Sequence, residues 1–174
     1  MKNILRKQAI CQRKNMDLLE ISRQICDNIT SLLEYKNSEN VGIFHPKEIE
    51  INLLPLCKNK SKVFYMPKIQ NDKMEFYKYT GENDLKPGKY DIFEPTSNIM
   101  TKKLDVVITP ALMADRKGYR LGWGGGFYDK FLQNYEGIII CPIPACQLTE
   151  ELPVEKHDIK SHFIVTEKEI IKII

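Results

Sequence analysis

The chain has no CxxC pair, no zinc-ligand spacing, and no apolar run near the ~20 residues a membrane helix needs. Its five cysteines (Cys11, Cys26, Cys57, Cys141 and Cys146) are an odd number without a framework pattern. That usage points to a reducing compartment, with the thiols acting as small buried hydrophobes. The opening MKNILRKQAICQRKN scatters charge where a signal peptide needs an apolar core, so the expected location is the cytoplasm, with no membrane partner. Arginine is scarce, at Arg6, Arg13, Arg23, Arg116 and Arg120 only, and the net charge of +3 is too mild for a nucleic-acid partner. Neither an internal repeat nor a low-complexity linker is found. Residues 1–174 are therefore expected to form a single domain, and the protein a monomer.

The rest is ordinary globular composition, 43% hydrophobic and 28% charged. A chain of this length buries about 70% of its unfolded surface and needs no metal or disulfide merely to fold. Lys2 to Lys14 lacks Gly and Pro and reads as a helix. Asn15 or Asp17 can cap a second helix, whose Leu18, Ile21, Ile25, Ile29 and Leu32 make one apolar face. Lys2, Arg6 and Arg13 share a face of the first helix. On spacing alone that face is a solvated one, and a functional reading needs an anion nearby.

Candidate strands cover 41–44, 62–66 (stopped by Pro67), 74–79, 105–109, 137–141 and 162–166. A short helix is expected over 49–57, a turn at 85–88, and a C-terminal helix from Glu167. Continuous apolar runs alternating with helices predict an α/β protein. The expected form is a three-layer α/β/α domain with a mainly parallel, Rossmann-like open sheet.

Five of the nine glycines lie between positions 118 and 126, in GYRLGWGGGFYD. The segment follows the apolar strand 105–109 and leads into a helix-like stretch, Phe127 to Gln133. Strand, glycine loop and helix can hold phosphate, because glycines admit close backbone approach and free N–H groups face the anion. A flexible surface loop is the competing reading. Neither GxxxxGK[ST] nor GxGxxG occurs. Arg120 can fork onto phosphate and Asp129 can hold a metal ion.

The run DVVITPALMADRKGYRLGWGGGFYDKFL resembles the signature of the 5-formyltetrahydrofolate cyclo-ligase family. Lys2 and Arg6, Glu48-Ile49-Glu50, Tyr90 to Pro95, Gln147 and LPVEKHD (Leu152 to Asp158) resemble further family segments in the same order. The resemblance implies ATP- and Mg²⁺-dependent conversion of 5-formyltetrahydrofolate to 5,10-methenyltetrahydrofolate. ATP, a co-substrate, phosphorylates the formyl oxygen; nitrogen 10 then attacks, and phosphate leaves. The folate partner includes polyglutamylated forms.

The resemblance also implies roles. ATP would be bound by Lys2, Asn3, Ile4, Leu5 and Arg6, and by Arg120, Leu121, Gly122, Trp123, Gly124, Gly125, Gly126, Phe127 and Tyr128. Arg120 would be the catalytic clamp on the γ-phosphate. It is expected to be an exposed cleft residue whose loss spares stability. Asp129 and Asp158 would hold Mg²⁺. Glu48 would accept hydrogen bonds from the pterin, beside Trp123, Phe127 and Tyr128. His45, His157 and His162 are expected to be structural. The alternatives are a phosphosugar or acyl-CoA enzyme on a related α/β sheet, and a non-catalytic nucleotide-binding module.

Overall fold

The computed structural model describes residues 1–101 and 103–173. Helix α1 spans Lys2–Arg13 and α2 spans Leu18–Ser31. Asp17 separates them, its Oδ1 accepting the Glu20 N–H at 3.2 Å, a side-chain cap. A short α3 (Leu33–Lys36) follows.

Beyond it come β1 (Asn40–Gly42), β2 (Val63–Gln70), β3 (Lys73–Lys78), β4 (Leu85–Pro87), β5 (Phe93–Pro95) and β6 (Met100–Thr101). The second half holds β7 (Val106–Ile108), β8 (Met113–Asp115), β9 (Arg120–Leu121), α4 (Phe127–Leu132), β10 (Ile138–Pro142), β11 (Leu148–Thr149), β12 (Phe163–Val165) and β13 (Ile170–Lys172).

Among the described residues, eight strands form one sheet in the order β13-β12-β10-β7-β1-β2-β3-β6. The central five, β12 to β2, are parallel. At the flanks β3 runs antiparallel to β2, β6 to β3 and β13 to β12. Successive side chains of the buried strands take opposite faces. Val106, Ile108 and Ile140 pack with Ile25 and Ile29 of α2, whereas Val107 and Ile139 pack with Leu132 of α4. This is the burial on both faces that a parallel sheet requires, and each fully buried Ile contributes about 1.5–3 kcal/mol. A small sheet, β11-β8-β9, and a hairpin, β4-β5, sit outside the main sheet.

Four expectations are corrected. The sheet strand β2 runs through Pro67: pairing with β1 ends at Tyr65, so the missing Pro N–H costs no ladder bond. The Ile69 N–H, two residues on, is given to Glu94 Oε1. Over 49–57 there is only a 3₁₀ turn, Leu54–Lys58, with Pro55 in its first turn. The 85–88 turn is shifted, with 85–87 forming β4 and the reversal falling at Lys89–Asp91. The tail after Glu167 forms β13 rather than a helix, because Ile170 and Ile171 pair with Val165 and Ile164 on an open sheet edge.

Candidate active site

A cleft of about 980 Å³ opens past the carboxyl ends of β1 and β7, where an open α/β sheet takes its ligands. Residues after β1 supply Phe44, His45, Lys47 and Glu50. The 90–94 segment gives Tyr90, Ile92 and Glu94, and β7 is followed by Pro110. The glycine loop lines the cleft continuously from Arg120 to Asp129, with Pro153 to Asp158 opposite α1.

The loop is anchored from several sides. Asp115, fully buried, closes the β8–β9 turn by accepting from the Lys117 and Tyr119 N–H groups, and takes the Leu152 N–H on its other oxygen. Gly124 has φ +106°, and a Cβ there would lie 3.4 Å from the Arg6 guanidinium. Gly126, at φ +68°, caps α4. Arg6 Nε donates to the Gly122 carbonyl at 2.8 Å, fixing α1 to the loop.

Helix periodicity splits the N-terminal residues. Lys2, Asn3 and Arg6 line the cleft, whereas the side chain of Ile4 points to solvent and Leu5 is not on the wall. Lys2 Nζ bonds Asp158 Oδ2 at 2.7 Å and Glu155 Oε1 at 3.2 Å. Burial opposes the Lys2 charge, but these two partners outweigh it and raise its pKa. Burial would likewise raise the Asp158 carboxyl, yet Lys2 and the Glu155 N–H hold it below its usual range.

Arg120 is not the exposed residue expected. Its side chain is 3% exposed; Nη2 bonds Asp129 Oδ1 at 2.8 Å and Nη1 the Ile159 carbonyl at 2.7 Å. The guanidinium thus locks β9 to α4 and to the 153–159 segment. Asp129 Oδ1 also accepts the Ile159 N–H at 3.3 Å, so Asp129 and Asp158 are neighbours across a single backbone link.

The two carboxylates of the EIE segment separate. Glu48 is exposed and off the cleft wall; Glu50 is 7% exposed and on it. The family resemblance points to Glu48, but the turn at 47–50, closed by Glu50 N–H to Lys47 O, swings Glu50 inward instead. Glu50 Oε2 accepts the Lys47 N–H at 2.8 Å, and Oε1 accepts Trp123 Nε1–H at 2.5 Å. Lys47 Nζ lies 5.1 Å from the Trp123 ring centroid and donates to the Tyr90 carbonyl at 2.9 Å. The Tyr90 and Phe127 rings meet at a tilt of 51° with centroids 5.6 Å apart, and those of His45 and Phe93 at 49° and 4.9 Å. Among the described residues the buried Tyr128 hydroxyl has no hydrogen-bond partner, and burial pushes its pKa far up. Such an orphan costs about 1–3 kcal/mol until a ligand or water meets it.

Two further outcomes differ from expectation, while Gln147, which the resemblance names without a role, is fully buried and not on the cleft wall. Arg13, expected on the shared basic face, is 1% exposed beneath the cleft floor. Of the cysteines, Cys26 and Cys141 are buried, but Cys11 and Cys146 are exposed. Neither burial was legible, because the covering segments lie over 90 residues away in sequence for most of Arg13's partners.

The family model for 5-formyltetrahydrofolate cyclo-ligases matches residues 1–167. The chain belongs to that family. It is 30% identical to the 5-formyltetrahydrofolate cyclo-ligase of Escherichia coli strain K12, covering 87% of this chain and 90% of the relative. It is 30% identical to that of Saccharomyces cerevisiae, covering 94% of each. The solved structure of Aquifex aeolicus 5,10-methenyltetrahydrofolate synthetase superposes with a TM-score of 0.88 at 30% identity, over 98% of this chain and 92% of that one. The Mycoplasma pneumoniae synthetase, 18% identical with a TM-score of 0.76 over 95% and 98%, shares the fold. The mixed, largely parallel sheet is therefore the cyclo-ligase fold. Among the described residues, no helix is long and apolar enough to cross a membrane.

Proposed function

We propose that the protein closes 5-formyltetrahydrofolate to 5,10-methenyltetrahydrofolate at the expense of ATP, releasing ADP and phosphate. The observation that carries this reading is one cleft joining a family glycine loop to a buried carboxylate with an aromatic wall. A formamide oxygen is a poor leaving group until phosphorylated, so the site must align two substrates and balance developing charge.

On this reading Lys2, Arg6 and the loop 120–128 receive the triphosphate. Arg120 acts on the phosphoryl group from its fixed position against Asp129. Glu50, in place of Glu48, faces the pterin, since two carboxylate oxygens match an aminopyrimidine edge. Trp123, Phe127 and Tyr128 line the folate side. Asp129 and Asp158 fit Mg²⁺ held jointly with phosphate oxygens and water. That ion takes one or two carboxylates in such sites, and among the described residues no group of three or more His, Cys, Asp or Glu could cage it alone. When bound, it supplies charge neutralisation at the phosphates. We place the activity in one domain, 1–174, acting as a cytoplasmic monomer on free or polyglutamylated folate, without nucleic acid or membrane. Supporting this are the mild net charge and the continuous family match.

The test is direct. Protein, Mg-ATP and 5-formyltetrahydrofolate are mixed and the methenyl product is followed by absorbance, with ADP measured in parallel. Folate-dependent ADP release with product is expected. ADP release indifferent to folate, or none, would favour a phosphosugar or acyl-CoA enzyme or a non-catalytic nucleotide binder.

A further inference from the structure

Arg13 is a buried cation that the reaction as described does not use. Among the described residues, its guanidinium meets no carboxylate within hydrogen-bond reach. Instead Nε donates to Gln147 Oε1 at 2.7 Å, Nη1 to the Ile49 carbonyl at 3.1 Å, and Nη2 to the carbonyls of Ala111 at 2.5 Å and Leu112 at 3.2 Å. Gln147 is itself oriented by donating from Nε2 to the Ala9 carbonyl at 2.9 Å.

Each of the two backbone segments it joins adjoins a residue that lines the cleft, Glu50 and Pro110. Ile49 directly precedes Glu50. Ala111 and Leu112 directly follow Pro110, and the Leu112 N–H bonds the Leu121 carbonyl on the strand that enters the glycine loop. A planar fork with five donors can hold two such segments at a fixed separation; a flexible ammonium cannot. Burial works against the Arg13 charge, and the Glu50 carboxylate is the foremost group working for it.

We propose that Arg13 is a positioning residue for the reaction: it fixes the Glu50 carboxylate relative to the loop that receives ATP. The proposal rests on the reading of Glu50 as the folate-facing carboxylate. Arg13 touches neither substrate. It sets where the folate ring lies, and so the alignment of the formyl oxygen with the phosphoryl group. The nucleotide side has its own anchors in the Arg6–Gly122 and Arg120–Asp129 bonds.

The chain's single tryptophan reads this out. Trp123 Nε1–H is bonded to Glu50, so its emission reports the carboxylate's position without any substrate. Arg13→Lys is expected to shift Trp123 emission in the ligand-free protein. It should also lower kcat/KM for 5-formyltetrahydrofolate on the order of 10²-fold, as misalignment does, while KM for ATP stays within about threefold, too small for a lost phosphate contact. Gln147→Met keeps the guanidinium with its three carbonyl contacts and removes the Nε acceptor, together with Gln147's own bond to the Ala9 carbonyl. It should move the same quantities in the same direction by a few-fold, which covers the case where Arg13→Lys does not fold.

A folded Arg13→Lys with unshifted emission overturns the proposal, whatever its melting temperature. So does an equal rise in both KM values. Glu50→Gln serves as the separate test of the underlying reading. If it leaves folate KM unchanged, that reading falls, while the Trp123 emission of Arg13→Lys still decides whether Arg13 holds Glu50 in place.

Discussion

Arg120 shows how burial changes what a single residue is expected to do. With its side chain 3% exposed and two fixed partners, it is part of the structure as well as the site. Arg120→Ala removes the guanidinium from the Asp129 carboxylate, which keeps only the long Ile159 N–H bond, and from the Ile159 carbonyl. The expected loss is about 2 kcal/mol by urea denaturation, below the value for a wholly buried pair because Asp129 is partly solvated. Turnover should fall together with stability, and an unchanged denaturation midpoint would contradict the tie. Asp158 has a lowered folded-state pKa, so its stabilisation is present above the unfolded value of about 3.9 and is lost as pH falls through the folded value. Melting temperatures of the parent and Asp158→Asn should therefore differ at neutral pH and converge in strong acid. Because Lys2 is raised, its half of the pair also weakens as pH climbs through its folded value at the alkaline end. A gap that persists in strong acid would show that the charge of Asp158, and so its ion pair with Lys2, is not the source of its stabilisation.

At the scale of elements, the sequence announces whatever is local. The apolar faces of α2 and the β-branched runs of β7, β10 and β12 were readable because period and burial coincide within one segment. The glycine loop was readable because its backbone needs are written in its own residues. Gly124→Ala tests that need. The positive φ and the nearby Arg6 guanidinium predict a raised KM for ATP, with a stability cost of about 1–2 kcal/mol from the strained backbone. Equal kinetics would show that the loop relaxes freely. Elements whose fate depends on a neighbour were misread. An Ile-rich tail becomes β13 because β12 offers an edge, and Pro67 stays inside β2 because β1 has already ended. Likewise no periodicity distinguishes Glu48 from Glu50; only the 47–50 turn does.

For the whole molecule, the cleft is a convergence of distant segments, with α1 clasped to the chain's other end. Lys2 and Asp158 are 156 positions apart, and Arg13 and Gln147 134. This separation has a consequence for biosynthesis. A ribosome adding about 5–20 residues per second takes roughly 8–30 s to travel from Lys2 to Asp158. Throughout that interval Lys2 lacks its partners Glu155 and Asp158, although the Gly122 carbonyl that Arg6 takes and the Ile49, Ala111 and Leu112 carbonyls that Arg13 takes are made earlier. The Lys2 side of the nucleotide site therefore stays open until the 153–158 wall has been made. The clasp between the opening helix and Asp158 is thus among the last of the cleft's described contacts whose partners are both made, and it closes the wall from the chain's two distant segments.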